Sequence, residues 1–303
     1  MIVKERERAL QLESLLALSK RGILLNPQEN YINQLVKGFE GECAFDALVK
    51  ELKCECLILN DLLLKLNGHT FQIDTLMISS KGISIYEVKN FEGEFVFRED
   101  KLKIVSTNKE ITNPVHQLNR TTMLFRQLME EHRVDFPLKS YIVFINKQFT
   151  LFETPIDQDF ILPTMVSRHL KRLNNERGAI TISHTKFSDT LKALHHNRDS
   201  TFVTLPEYSY SALKKGSFCK ECSTVLGRLN GRMCECRKCG HKELSVDTIL
   251  RQINEFRLLF PDNKLTTNEM YQWSGKLFSE KSIRSVLSKH FTLKGQSIAS
   301  YYE

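Results

Sequence analysis

Asp74 lies within Phe71-Gln72-Ile73-Asp74-Thr75-Leu76-Met77-Ile78, a run with apolar residues on both alternating faces. A strand of that type is buried on both sides, and a lone carboxylate inside it costs on the order of several kcal/mol unless it is paired or bound to a metal. In the following run, Ile83, Ile85, Glu87 and Lys89 share one face because side chains alternate along a strand. Glu87 and Lys89 then point the same way, roughly 7 Å apart. If the two strands pair side by side, two acids and one amine meet at one point. Such a pair of carboxylates suits a hard divalent cation, Mg²⁺ or Mn²⁺, which polarises a phosphate and acidifies a bound water. Lys89 would orient that water or stabilise charge developing on the phosphate. The bland alternative is a buried salt bridge between Lys89 and either acid.

Two helices must supply the rest of such a site. Glu42 falls on the stripe formed by Phe45, Val49 and Leu52, whereas Glu40 projects to the other side. On a later helix, Gln117 aligns with Thr121, Leu124 and Leu128. Glu42 is thus placed as a further ligand or base, and Gln117 as a group that positions water or a phosphate oxygen.

A second set of residues carries different chemistry. Of eight cysteines, Cys43, Cys54 and Cys56 are scattered in apolar surroundings and read as inert thiols. Phe218-Cys219-Lys220-Glu221-Cys222 and Cys236-Arg237-Lys238-Cys239-Gly240 form two C-x-x-C hooks, the spacing of a zinc ribbon in which four thiolates hold Zn²⁺ tetrahedrally. Cys234 and His241 are alternative ligands. The glycine after Cys239 favours the Cys236/Cys239 pair because it eases the tight turn. A redox pair would not need four paired cysteines.

The chain has 303 residues, 41% of them hydrophobic and 26% charged, which argues for folded domains and against disorder. Its opening, MIVKERERAL, is charged from Lys4 onward, unlike a secretory leader. The densest apolar stretch, 56–66, is broken by Asn60, Asp61 and Lys65, so no membrane span is expected and the location expected is cytoplasmic. The net charge is +7, and residues 205–303 hold 16 Lys and Arg against 10 Asp and Glu. The positive excess therefore sits in the last third, which points to a module that binds nucleic acid.

The pattern predicts a charged helix over 4–19 and a second over 27–53, then strands over 55–66, 70–79 and 82–89. A hairpin-like region follows over 91–110. Asn113-Pro114 opens a helix reaching about residue 132, with Asn as the cap. Tyr141–Ile145 is a continuous apolar run of central-strand type. Past a break near 206–216 come the cysteines, a helix with Ile249, Ile253, Phe256 and Phe260 inward, and short helices from about Thr267 and Ser279. A hairpin is expected within 291–298. Trp273 reads as a core anchor, and His195-His196 as solvated.

Four blocks then carry a family resemblance. Gly38-Phe39-Glu40-Gly41-Glu42, Gln72-Ile73-Asp74-Thr75-Leu76, Gly82-Ile83 with Tyr86-Glu87-Val88-Lys89-Asn90, and Asn113-Pro114-Val115-His116-Gln117 resemble, in the same order, the nuclease-related domain (NERD) family. They cover about residues 34–150. The resemblance implies a restriction-endonuclease-like core of the PD-(D/E)xK type, a mixed central sheet flanked by helices, and metal-dependent cleavage of phosphodiester bonds. Asp74, Glu87 and Lys89 match the core motif of that family, and Glu42 and Gln117 its flanking positions. Thr75 stands where histidine is common, and Tyr86 where an aliphatic is common. The cysteine segment resembles the ribbons attached to type I topoisomerases. The helices and hairpin after it resemble a small winged-helix module, with Ile283, Val286 and Leu287 inward and Lys281, Arg284 and Ser288 on the other face.

The expected organisation is α/β: an N-terminal helical segment at 1–33, a nuclease-like domain at 34–204, a zinc ribbon at 214–243 and a winged-helix-like module at 244–303. The expected activity is Mg²⁺-dependent DNA cleavage, with DNA or RNA as partner and room for a protein partner or a second copy of the chain. Lys220, Arg237, Lys238, Lys281 and Arg284 are the expected nucleic-acid contacts. The rival class is a non-catalytic nucleic-acid-binding or scaffold protein whose acidic cluster is structural.

Overall fold

A computed structural model describes residues 1–22, 26–155, 159–196, 205–230, 232–296 and 300–303. In chain order the elements begin β1 (Ile2–Lys4), α1 (Leu10–Lys20), α2 (Asn26–Lys50), β2 (Cys56–Leu66), β3 (His69–Ser79) and β4 (Gly82–Lys89). Next come β5 (Gly93–Arg98), β6 (Lys101–Ile104), β7 (Glu110–Ile111), α3 (Pro114–Glu131), β8 (Leu138–Phe144), β9 (Phe149–Phe152), β10 (Phe160–Ile161), α4 (Pro163–Asn174) and α5 (Ile182–Leu194). The last third holds β11 (Gly227–Arg228), β12 (Met233–Glu235), β13 (Lys242–Leu244), α6 (Ser245–Leu259), α7 (Thr267–Trp273) and α8 (Glu280–His290).

The chain divides into two compact units, one of residues 1–8 and 33–201, the other of residues 9–32 and 202–303. The start of the chain is therefore shared. Residues 2–4 pair with β2 as a short parallel strand, and only from Leu10 does a helix run, where a helix from Lys4 was expected.

In the first unit a six-stranded sheet has the order β1-β2-β3-β4-β8-β10. The β2-β3-β4 meander is antiparallel, while β8 joins β4 in parallel and β10 joins β8 in parallel. A parallel neighbour needs a crossover, and α3 supplies it between β4 and β8. The Asn113 side chain accepts from the Val115 N–H at 3.0 Å and Pro114 opens the helix, as the Asn-Pro pair predicts. Gly82, at φ +122, makes the β3–β4 turn. A Cβ there would stand 2.2 Å from the Pro137 carbonyl, so the turn requires glycine. A second sheet, β7-β6-β5-β9, extends the hairpin expected at 91–110 with a parallel partner from 149–152.

Apolar side chains cover both faces of the central sheet. Ile83 and Ile85 belong to one cluster with Leu124, Phe125 and Leu128, and Tyr86 and Val88 to another with Phe45, Val49 and Val166. β4 is thus buried on both sides, whereas Leu48 on α2 is 40% exposed.

In the second unit the ladder β11-β12-β13 is antiparallel, and α6, α7 and α8 follow it. Trp273 is fully buried among Tyr210, Phe256 and Phe260. Arg21 lies over its ring and pairs with Glu255 at 2.6 Å, also donating to the Lys214 carbonyl. The end of the chain differs from the expected hairpin at 291–298. Leu293 and Lys294 pair with Tyr302 and Tyr301, while residues 297–299 lie outside the described set. His195 is not a free solvated ring, since its Nδ1 accepts from the Leu63 N–H at 3.1 Å.

One buried histidine gives a pH prediction. Arg172 donates to His169 Nδ1 at 3.1 Å, which leaves the Nε2 proton to be donated to Tyr86 Oη at 3.0 Å. Burial, then Arg172, lowers the His169 pKa from 6.5 to about 4. Tyr141 packs against it, and Arg168 and Asp159 line the same hollow. Between pH 6.5 and 4 the unfolded chain binds the proton and the folded chain does not, so stability is lost as pH falls through that window, by about 3 kcal/mol at most. The stability gap between wild type and His169→Gln should therefore shrink from pH 7 to pH 4.5 in denaturant titrations. A constant gap contradicts the neutral, bonded imidazole.

Candidate active site and metal centre

The central sheet forks at Asp74. Thr75 still pairs with Tyr86, but one residue further the Asp74 carboxylate replaces the backbone partner and its Oδ2 accepts from the Val88 N–H at 2.8 Å. That bond fixes Asp74 beside the strand that carries Glu87 and Lys89. Asp74 is 7% and Glu87 2% exposed, and Lys89 Nζ donates to Glu87 Oε1 at 2.7 Å and to Gln117 Oε1 at 3.2 Å. The two acids, the amine and the glutamine expected from strand and helix periodicity are therefore assembled. Gln117 reaches Lys89 from an exposed position rather than from the helix core.

Glu42 is held on α2 by a cation that the periodicity did not reveal. Arg6, 3% exposed at its side chain, donates to Glu42 at 2.6 Å, to Asp46 at 2.7 Å and to the Asp74 carbonyl at 2.7 Å. Asp46 lies one helical turn after Glu42, a signal that i,i+4 spacing carries. Asp61 is buried and positive in φ (+54°), and its Oδ1 accepts from Gln72 at 2.8 Å. A carboxylate inside the apolar run 57–66 is the same signal that marks Asp74. Arg6 had no local signal, because a charged segment of that kind reads as a solvated face. Gly41 allows α2 to pass close to the end of β4, where a Cβ would stand 2.4 Å from that of Asn90.

These acids press on one another. Burial and then Asp74 push the Glu87 carboxyl up to about 8, with Lys89 opposing. Burial and then Asp74 push Glu42 up to about 7, with Arg6 opposing. Asp74 is raised by burial, and Lys89, Val88 N–H and Arg6 hold it down in part. For Lys89, burial disfavours the charge, but Glu87 and Asp74 outweigh it and its pKa rises. Added positive charge would relieve this crowding of buried acids. Size does not mark the place: hollows of about 400 and 350 Å³ in this unit are lined by other residues.

In the second unit the sulfurs of Cys219, Cys222, Cys236 and Cys239 lie within 4.8 Å of one another and could hold a metal ion. None of the four forms a disulfide. Cys219–Cys239 and Cys222–Cys236 are 3.7 and 3.4 Å apart, near the roughly 3.8 Å edge of a tetrahedron with 2.3 Å metal–sulfur bonds. Among the described residues no His or carboxylate joins this group. Cys234, the alternative ligand, is buried beside Ser245 Oγ at 3.7 Å, and His241 also stands outside the set. The Gly240 N–H bonds to the Cys236 carbonyl at 2.8 Å with φ +73, the turn that the glycine was expected to ease.

The first unit is a mixed α/β domain with a buried carboxylate–lysine centre. Residues 37–145, which contain that whole centre except Arg6, match the family model described as the nuclease-related domain. No curated protein and no solved structure matches the chain. No helix among the described residues is long and apolar enough to cross a membrane.

Proposed function

We propose that the chain is a metal-dependent nuclease of the PD-(D/E)xK type, acting through Asp74, Glu87 and Lys89. The observation that carries this reading is the fork of β3 and β4, where two buried carboxylates and one lysine converge inside the segment matching the nuclease-related domain. Asp74 and Glu87 would hold Mg²⁺ or Mn²⁺, which supplies Lewis-acid activation of a phosphate and of a water. Lys89 holds a proton-rich ammonium against Glu87 and Gln117, positioned to donate to a phosphate oxygen or to water. Gln117 would fix that ammonium, and Glu42, held by Arg6, would serve as a base in the same cluster of charges. The test is cleavage of plasmid, linear duplex, single-stranded DNA and RNA with Mg²⁺ or Mn²⁺. Activity should require the metal and vanish in Asp74→Ala.

The same contacts favour a second reading, in which the 2.7 Å Lys89–Glu87 pair is structural and the chain binds nucleic acid without cutting it. The two readings part on whether the purified wild type cleaves at all.

The four cysteines would take Zn²⁺, since an all-thiolate tetrahedral set suits that ion. The ribbon and the three-helix module with its terminal ladder are read as the part that holds DNA or RNA. Lys220, Arg237, Lys238, Lys281 and Arg284 are exposed, and Lys220 has Glu221 at 4.0 Å. On α8 Ile283, Val286 and Leu287 are buried while Lys281 and Arg284 face out, the arrangement of a groove-reading helix. Changing Arg237, Lys238, Lys281 and Arg284 to Ala should weaken duplex binding and lower the slope of log K against log salt by about 0.9 for each phosphate no longer neutralised. Titrations at several salt concentrations measure it, and an unchanged slope would assign this surface to protein docking instead.

A further inference from the structure

The face of the central sheet away from Glu87 carries a hollow that the proposed cleavage does not use. Tyr86 and Val88 point to that face, because they alternate with Glu87 and Lys89 along β4. There, between β8, β10 and α4, lies a cavity of about 400 Å³ whose lining includes Tyr141, Ile161, Met165, Arg168, Arg172 and Asp159. Its volume falls within the range of small-molecule sites. A smaller hollow of about 210 Å³ shares Tyr141 and Arg172 and adds Lys81 and Lys139.

The lining has two chemical ends. One is apolar with a single aromatic ring: Ile161 is buried, Met165 is half-buried, and Tyr141 is stacked on Tyr86 at 5.4 Å between ring centroids. The other is cationic. Arg168 and Arg172 are one helical turn apart on α4, so their guanidinium groups leave the same face. The bond to His169 Nδ1 steadies the Arg172 guanidinium, and that neutral ring takes up one donor while leaving the positive charge uncancelled. Arg168, Lys81 and Lys139 form no ion pair among the described residues. Across the two hollows four cations stand against two carboxylates, Asp159 and Glu176. Asp159 is an acceptor placed for hydroxyl or amino hydrogens.

We propose that this cavity binds a phosphate monoester bearing an aromatic body of mononucleotide size. The arginines take the phosphate, since a guanidinium fork matches its oxygens. The Tyr141 ring and the Met165 thioether receive the base. The site is on the opposite sheet face from Asp74 and Glu87 and needs no divalent metal.

The test is calorimetric titration of the full chain, without added Mg²⁺, by adenosine and thymidine monophosphates, adenosine, and inorganic phosphate. Both monophosphates should bind with a dissociation constant below about 1 mM, at least tenfold more tightly than adenosine or phosphate alone. Arg168→Ala removes an exposed guanidinium without disturbing the core, and the loss of a charge-assisted bond should weaken binding about tenfold or more. Met165→Trp fills the apolar end and should weaken it as well. Melting curves of both variants should match the wild type. Absence of monophosphate binding, equal binding of inorganic phosphate, or affinity that either folded variant leaves unchanged overturns the proposal.

Discussion

Glu87→Gln and Lys89→Ala should each lower metal-dependent DNA cleavage by at least ~10², the scale for losing a group that stabilises transition-state charge. DNA binding should change little, because both groups lie in the centre and not on the exposed basic surface. Stability separates this outcome from a structural role. Burial and Asp74 already push the Glu87 carboxyl up to about 8, so a neutral amide of the same shape removes repulsion and keeps an oxygen for Lys89. The glutamine variant should thus melt at or above the wild-type temperature. A structural ion pair predicts the reverse, since one buried charge would be left unpaired. Mg²⁺ should raise the melting temperature of the wild type and lose that effect in both Asp74→Asn and Glu87→Gln. Full cleavage by either the Glu87 or the Lys89 variant would remove these residues from the centre.

Loss of zinc should unfold the ribbon and loosen the core beside it. The strands β11, β12 and β13 are two or three residues each, too short to hold themselves by burial alone. Cys219 and Cys236 are fully buried in the same cluster as Leu226, Ile249 and Phe256, so the cysteine cluster is continuous with the helical core. Structural zinc supplies about 10 kcal/mol or more of folding free energy, comparable with the whole stability of a domain. Cys236→Ser should therefore abolish bound zinc and the hydrogen-exchange protection of 217–244. Cys234→Ala, which touches the same core but not the donor set, should keep one zinc per chain. Metal analysis of the wild type and both variants checks this. A zinc-free wild type, or zinc lost with Cys234, would overturn the assignment.

The centre was legible where periodicity and burial work together. A carboxylate in a doubly buried strand must be compensated, and strand alternation places Glu87 and Lys89 together, so Asp74, Glu87 and Lys89 were visible in one dimension. Glu42 followed from a helical stripe, and the cysteine set from spacing alone. Arg6 was not visible, because its partners Glu42, Asp46 and the Asp74 carbonyl are 36 to 68 residues away. Residues 2–4 are too few for a period, and their strand exists only because β2 offers an edge. The terminal ladder was misplaced for a similar reason: a two-residue strand takes its register from whatever lies opposite, here Tyr301 and Tyr302. The segment matching the nuclease-related domain begins at residue 37, and nothing within it indicates that an arginine near the start of the chain completes it.

That shared start limits how the two units can be inherited or exchanged. Because residues 1–8 belong with one unit and 9–32 with the other, no single cut yields either unit whole. A fragment beginning at residue 34 would lack both β1 and Arg6, leaving Glu42 and Asp46 without their guanidinium. A fragment ending at residue 204 would strip the partners from Leu18 and Arg21. The nuclease-like part is thus not a portable cassette here: recombination that moved it to another chain would have to carry its first eight residues across a gap of 24 residues assigned elsewhere.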